Sequence, residues 1–384
     1  MKYFIFVILF FTAIHSSTNA QVAEPLGEDE TGIIESLPIN YPKNWIFTNS
    51  PGFPSGGSIA VIDVSAENNH KKGAIFAGFS SDVTANNTLG EIYVLETYYS
   101  RGNRGPREDL ITIYDQSTLK TKGEIILETG KRFLVGPMMG KFRLFNDNKW
   151  ALVANYTPAS SITIVDIENR KILNEISVPG CMLAYPLGKR GFATLCGYGD
   201  LLSVTLDENG EQISEYQSEV FNDLDNDPYF VKHARVGDMV YLPSFKGMLV
   251  GLDLSGDQAK IGEAWSLVSD EERQADWRPS GWQLITADAN GLLYIIMQEN
   301  GFNGSHKDGG TEVWVFDPIS QKRVNRIILE NAAYTIVATM EDSPHIIVGA
   351  KREGMVDVYQ ATGEFIRSIK ISNKENMPIM YATE

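Results

Sequence analysis

Residues Ser160–Val178 read SSITIVDIENRKILNEISV, and Thr311–Leu329 read TEVWVFDPISQKRVNRIIL. Both are one unit: an alternating apolar strand, an Asp, a polar turn and a second alternating strand. Apolar residues at every second position mark a β-strand, and two such runs around a short polar turn mark a hairpin. The same unit recurs from Ser58 (SIAVIDVSAENNHKKGAIFAG), Asp109 (DLITIYDQSTLKTKGEIIL), Asp200 (DLLSVTLDENGEQISEYQS), Gly247 (GMLVGLDLSGDQAKIGEAW) and Gly354 (GMVDVYQATGEFIRSIKIS).

Equivalent points fall at Asp63, Asp115, Asp166, Leu206, Asp253, Asp317 and Gln360. Their mean spacing is about 50 residues, a period of propeller blades and related arrays. The intervening stretches, such as Lys149–Tyr156 (KWALVANY) and His345–Lys351 (HIIVGAK), supply the other two strands of a four-stranded unit. The pattern predicts an all-β chain: a seven-bladed β-propeller with four-stranded antiparallel blades. The recurrent Asp is expected to cap the hairpin turn with its side chain. The predicted organisation is a signal peptide over 1–20, an acidic, turn-rich N-terminal arm over 21–43 and the propeller over 44–384. The spacing between Asp253 and Asp317 is 64 residues and carries an insertion, EAWSLVSDEERQADWRPSGWQ, with a short helix opened by a Ser-Asp cap.

The chain has 384 residues and a net charge of −16, which argues against binding nucleic acid. At the N-terminus Lys2 precedes an apolar run, Tyr3–Ile14, and Thr18 and Ala20 suit the positions before a cleavage site. This is the pattern of a secretory signal peptide, with Gln21 as the first mature residue. The alternative, an uncleaved anchor, needs roughly 20 apolar residues, more than this run offers. No other segment approaches spanning length, so a membrane protein is not expected.

The only two cysteines are Cys181 and Cys196. Two apolar strands flank a Leu-Gly-Lys-Arg turn between them, and antiparallel pairing about Gly188 and Lys189 sets the cysteines opposite each other. A disulfide within one hairpin is expected, as exported chains permit.

Catalytic motifs are scarce. His15, His70, His233, His306 and His345 are scattered, without the short-spaced pair of a zinc site. No phosphate-binding Gly-rich loop or Gly-x-Ser-x-Gly elbow occurs. Asp223, Asp225 and Asp227 have the alternate spacing of a calcium loop but lack its Gly and distant Glu, so they read as a solvated turn. The segment WRPSGWQ packs two Trp and an Arg into seven residues. These residue types dominate interface hot spots, which makes Trp277, Arg278 and Trp282 subunit-interface candidates; core packing for one of the two Trp is the alternative.

Several strings resemble the heavy subunit of quinoprotein amine dehydrogenases, the methylamine and aromatic amine dehydrogenases. They are ETYYSRGNRGPREDLITIYD (Glu96–Asp115), RFLVG from Arg132, YTPASSITIVD, Cys181 with Cys196, WSLVSDEERQADWRPSGWQ and GSHKDGGTEVWVFD. WRPSGWQ is nearer the methylamine form, and GYGDLLSVTLDENGE and GTEVWVFD are nearer the aromatic amine form. The choice between aliphatic and aromatic substrates stays open.

The resemblance implies a seven-bladed propeller, in accord with the repeat. It implies a periplasmic enzyme that oxidises primary amines to aldehyde and ammonia. Its cofactor, tryptophan tryptophylquinone, would be carried by a separate Cys-rich light subunit in a heterotetramer, with none on this chain. A small copper protein or cytochrome would accept the electrons. No catalytic residue and no metal would belong to this chain. A Phe at the mouth of the amine channel matches Phe53 in SPGFPSGGSIAVID, although the Pro- and Gly-rich neighbourhood departs from the family and leaves a loop-anchor role open. Two other functions compete with this one: a binding scaffold with no quinone partner, and a propeller lactonase working through the central channel alone.

Overall fold

The alternating runs pair into antiparallel sheets whose faces stack on one another. The computed structural model describes residues 35–50, 56–132, 134, 138–350, 354–372 and 378–383. The predicted signal peptide, most of the arm and Phe53 lie outside them. The chain divides into two compact units, Met1–Glu35 and Ser36–Glu384, and the described strands belong to the second.

This unit is an all-β propeller with four-stranded antiparallel blades. The third repeat shows the pattern: Phe142–Phe145, Trp150–Asn155, Ser161–Asp166 and Lys171–Ser177 lie side by side in chain order. The ring closes where Ile379–Ala382, late in the chain, pairs with Trp45–Ser50, setting Tyr381 opposite Phe47. The repeat predicts seven separate blades, and here the structure differs. Among the described residues five sheets stand alone, four of four strands and one of five, while the sixth is continuous and eight-stranded. The cause is the 17-residue strand Lys322–Ala338. Its first half pairs with Gly310–Asp317 and its second half with His345–Ala350, so no turn interrupts the ladder between the last two repeats.

Side-chain alternation explains why the inner strands read as continuous apolar runs. In the third sheet Ala151, Val153 and Val165 pack on Tyr93, Ile111 and Ile113 of the sheet before it. Their neighbours Trp150, Leu152 and Ile164 pack on Phe192 and Val204 of the sheet after it. Both faces are covered, so both parities are apolar. Each fully buried Ile, Val or Leu contributes about 1.5–3 kcal/mol. The outer strand Lys171–Ser177 has water on one side and mixes charge with apolar residues.

The recurrent Asp does cap its turn. Asp63 accepts from the N–H of Ser65 and Ala66, Asp115 from Ser117 and Thr118, and Asp317 from Ile319. Hydrogen bonds from the Ser320 side chain and the Ile319 N–H hold the Asp317 carboxyl below the usual carboxylate range. The expected short helix spans Asp270–Gln274, and Ser269 and Glu272 form its capping box. Cys181 and Cys196 are directly opposed in one hairpin and are joined by a disulfide.

Candidate functional site

Every sheet contributes to the wall of a central channel, the eight-stranded one through both Ile285–Ala287 and the end of Lys322–Ala338. The innermost strands run the same way, from an upper end at Met139, His233, Gln283 and Ile379 to a lower end at Asn146, Gly188, Ala287 and Ala382. The lower part is a vestibule of about 390 Å³ whose polar lining includes Arg143, Tyr185, His233, Arg235 and Tyr381. His233 is buried, and Tyr185 meets its ring edge-on at 4.8 Å between centroids. Burial pulls its pKa down to about 3, so this imidazole is neutral at physiological pH.

The upper end is narrow. Met138, Met139, Lys232, His233, Trp282 and Gln283 bound a small cavity there. Lys232 lies 5.1 Å from the ring centroids of both Trp282 and Phe230. Stripped of water, its ammonium has a pKa lowered to about 8. Gln283 acts as a cross-tie between sheets. Its side-chain amide donates to the Met380 carbonyl (2.7 Å) and accepts from the Met380 N–H (2.9 Å). Its own backbone is bonded to Tyr334 and Ile336. One side chain thereby joins the eight-stranded sheet to the strand that closes the ring.

Beside the channel runs a buried ionic network. Asp82, Glu96 and Asp109 have no exposed surface, and Arg132 and Lys141 are 2% and 1% exposed. Asp109 pairs with Arg107 (2.9 Å), accepts the Thr97 hydroxyl (2.5 Å) and accepts the Gly130 N–H (2.8 Å). Arg132 donates to Thr97 Oγ1 (2.5 Å) and to the Ser80 carbonyl (2.9 Å). Lys141 reaches Ser80 Oγ at 3.2 Å, and burial, partly offset by Asp82, lowers its pKa to about 8. Tyr381 donates to Asp82, which links the network to the channel wall. Glu96 accepts from the Gly78 N–H at 2.6 Å and from the Thr112 hydroxyl, and burial raises its pKa. Gly78 must lack a side chain there, since a Cβ would sit 2.7 Å from the Thr97 carbonyl.

The profile of the methylamine dehydrogenase heavy chain (MADH) matches residues 45–381, the whole ring from its first strand to its closing one. The chain belongs to the methylamine dehydrogenase heavy chain family. Methylamine dehydrogenase heavy chains from Methylobacillus flagellatus and Methylophilus methylotrophus are relatives. The first is 25% identical over 83% of this chain and 83% of its own length. The second is 26% identical over 89% of this chain and 84% of its own. Among solved structures, the β-propeller domain of Cps50 (Swd1) from Myceliophteria thermophila aligns with a TM-score of 0.52 at 12% identity, over 79% of this chain and 90% of that one. That likeness concerns fold alone.

Within this heavy-chain frame the candidates named from the sequence separate. Trp277 is a core residue, 8% exposed, with its ring 4.9 Å from that of Trp314. Arg278 pairs with Asp276 (2.7 Å) and covers the Phe245 ring at 5.2 Å. Trp282 is half-buried at the channel's upper end under Lys232. The three are therefore not one patch, although Arg278 and Trp282 keep some surface. Phe53 lies outside the described residues. The strand before it ends beside Ile379, since Asn49 is paired with that residue, and Ile379 shares the upper cavity with Trp282. The acidic turn caps itself: Asp223 accepts from Asn226, and Asp227 accepts from Ser244 and the Lys246 N–H. Among the described residues no three His, Cys, Asp or Glu side chains converge as metal ligands, and no helix is long and apolar enough to cross a membrane.

Sequence reasoning missed Gln283 and the ionic network. The signal for the network was present: Glu96 interrupts the apolar strand EIYVLETYY, and Asp109 opens the next one. A charge inside a buried run needs partners, and Arg132 is one of them.

Proposed function

We propose that this chain is the heavy subunit of a periplasmic amine dehydrogenase. In this reading the eight-stranded sheet counts as two blades sharing one strand, which makes the ring seven-bladed. The overall reaction takes a primary amine and water to an aldehyde and ammonia, releasing two electrons and two protons. Tryptophan tryptophylquinone, on a Cys-rich light subunit, supplies the two-electron oxidation when that subunit is bound. A small copper protein or cytochrome then takes the electrons onward.

The residues described here suit a support role. Two neighbouring indoles of this chain, Trp277 and Trp314, are buried under Arg326 and Arg323 and border neither channel cavity. They do not fit a quinone that has to meet substrate. Around the upper end, Trp282, Arg278 and the Phe53 loop would form the face that meets the light subunit. There Phe53, restrained by Pro51 and Pro54, would narrow the amine entrance and exclude water.

The observation that carries this reading is the family match over residues 45–381. The test is co-expression with a Cys-rich light subunit and its maturation enzymes. The assembled protein should oxidise a primary amine with an artificial acceptor, and this chain alone should not. Phe53→Ala in the assembly should change the kcat/KM ratio between bulky and small amines by about 10-fold, with little loss of melting temperature. A chain that never takes up a light subunit would leave the scaffold reading in its place.

A further inference from the structure

The lower vestibule holds a charge distribution unlike that of the chain as a whole. The protein carries a net charge of −16, yet among the described residues no Asp or Glu lines this cavity, and its charged lining is Arg143 and Arg235. Arg235 is occupied: it donates to the carbonyls of Pro186 (2.9 Å) and Gly237 (2.8 Å) and pairs with Asp238 at 3.3 Å. Arg143 is differently placed. One nitrogen donates to the Phe142 carbonyl (3.0 Å), and the guanidinium lies 5.7 Å from the Tyr381 ring centroid. Among the described residues no ion pair within 4.0 Å includes it. Among the described residues the carboxylates near this wall are engaged or set back: Asp238 pairs with Arg235, Asp257 lies beyond Gly188, and Asp82, behind Tyr381, faces Lys141 and Arg132.

We infer that the vestibule is a binding site for a small organic carboxylate with an apolar body, held by Arg143. A guanidinium fork matches a carboxylate with two parallel N–H···O bonds, and a half-buried one is screened less than at the surface. A net positive lining also concentrates anions within an otherwise acidic protein. The rest of the wall selects the body of the ligand. Phe47, Phe145, Val337, Met340 and Met380 offer apolar contact, and about 390 Å³ admits one ring-sized molecule. Hydroxyl groups add little competition, because Tyr381 is spent on Asp82 and Tyr185 on the Val231 carbonyl. The site adjoins the upper end, where the amine entrance is proposed, through Met139, His233 and Gln283, but Arg143 lines only the vestibule, and the site requires no second subunit.

The test is calorimetric titration of the purified full chain with benzoate, benzamide and inorganic phosphate. Benzoate should bind about tenfold or more tightly than benzamide, the difference a charge-assisted hydrogen-bonded pair confers. Arg143→Gln should erase that preference. Met340→Trp, which fills the vestibule and removes no charge, should weaken benzoate binding to a similar extent. It keeps the test decisive if the first variant does not fold. Equal binding of benzoate and benzamide, tighter binding of phosphate than benzoate, unchanged affinity in both variants, or no benzoate binding to the parent chain would each overturn the assignment.

Discussion

Two arginine–carboxylate networks sit on opposite sides of one physical divide. The first joins Asp109 to Arg107 and Arg132 beside the channel, with Asp109 fully buried and Arg132 2% exposed. The second lies on the eight-stranded sheet, where Arg326 pairs with Glu312 (2.7 Å) and covers the rings of Trp277 and Trp314 at 5.1 and 4.8 Å. There Arg323 pairs with Glu272 (2.7 Å), and the two guanidinium side chains are 29% and 39% exposed. The chemistry is shared and the solvent is not. In the first network the buried Asp109 and Arg132 depend on their partners, because water cannot replace a lost one. In the second, water and counter-ions can.

The sharpest way to break this comparison is to delete one acid from the buried network. Asp109→Leu removes the ion-pair partner of Arg107 and the strongest counter-charge of Arg132, leaving Arg132 only Asp82 and Glu96, and strands the Thr97 hydroxyl and the Gly130 N–H. The expected loss is about 3–5 kcal/mol, the cost of removing one partner from a buried pair. Urea unfolding measures it. A loss below about 1 kcal/mol, the range of surface pairs, would show that water reaches Arg132.

The same divide explains what could be read in the sequence. Outer strands and hairpin turns follow local rules, so period-2 alternation and the Asp in each turn located them. The Cys181–Cys196 pairing followed from a symmetric hairpin for the same reason. The continuous sheet was not legible, because ILENAAYTIVA carries no signal that the ladder should persist between repeats. Nor was the fate of WRPSGWQ. A Trp, an Arg and a Gln in one short segment went to the core, to a ring face and to a cross-sheet tie respectively, and those destinations are set by neighbours far away in the chain. Gln283 finds Met380 97 residues later. Glu96 and Asp109 were visible as charges in apolar strands, but their partners Gly78 and Arg132 come from other strands and loops.

A second test sharpens the comparison through titration. Burial lowers the pKa of His233 to about 3, with Arg143 and Arg235 adding to the shift. The unfolded chain holds this group at roughly 6.5, so between the two values it binds more protons than the folded chain. The stabilising contribution is complete above the unfolded pKa and is lost as pH falls towards 3. From pH 6.5 to 5 the parent should lose on the order of 2 kcal/mol more than His233→Gln, which has no proton to gain. Parallel pH profiles for the two proteins would place His233 in contact with water.

The smallest effect is expected on the exposed side. Arg326→Met keeps an unbranched stem over Trp277 and Trp314 and removes the charge that reaches Glu312 and Glu272. What is lost is a cation over two rings and two ion pairs that water can replace, about 1 kcal/mol or less. Part of that loss should vanish in 1 M salt, where screening acts over about 3 Å. The salt response distinguishes the two networks better than the size of the effect does. Asp109→Leu should cost nearly the same at low and high salt, because counter-ions do not enter its site. Arg326→Met should converge on the parent. If instead its cost reached about 3 kcal/mol and ignored salt, the stack of guanidinium on indole would be as sealed as the channel-side network, and exposure would no longer account for the difference between them.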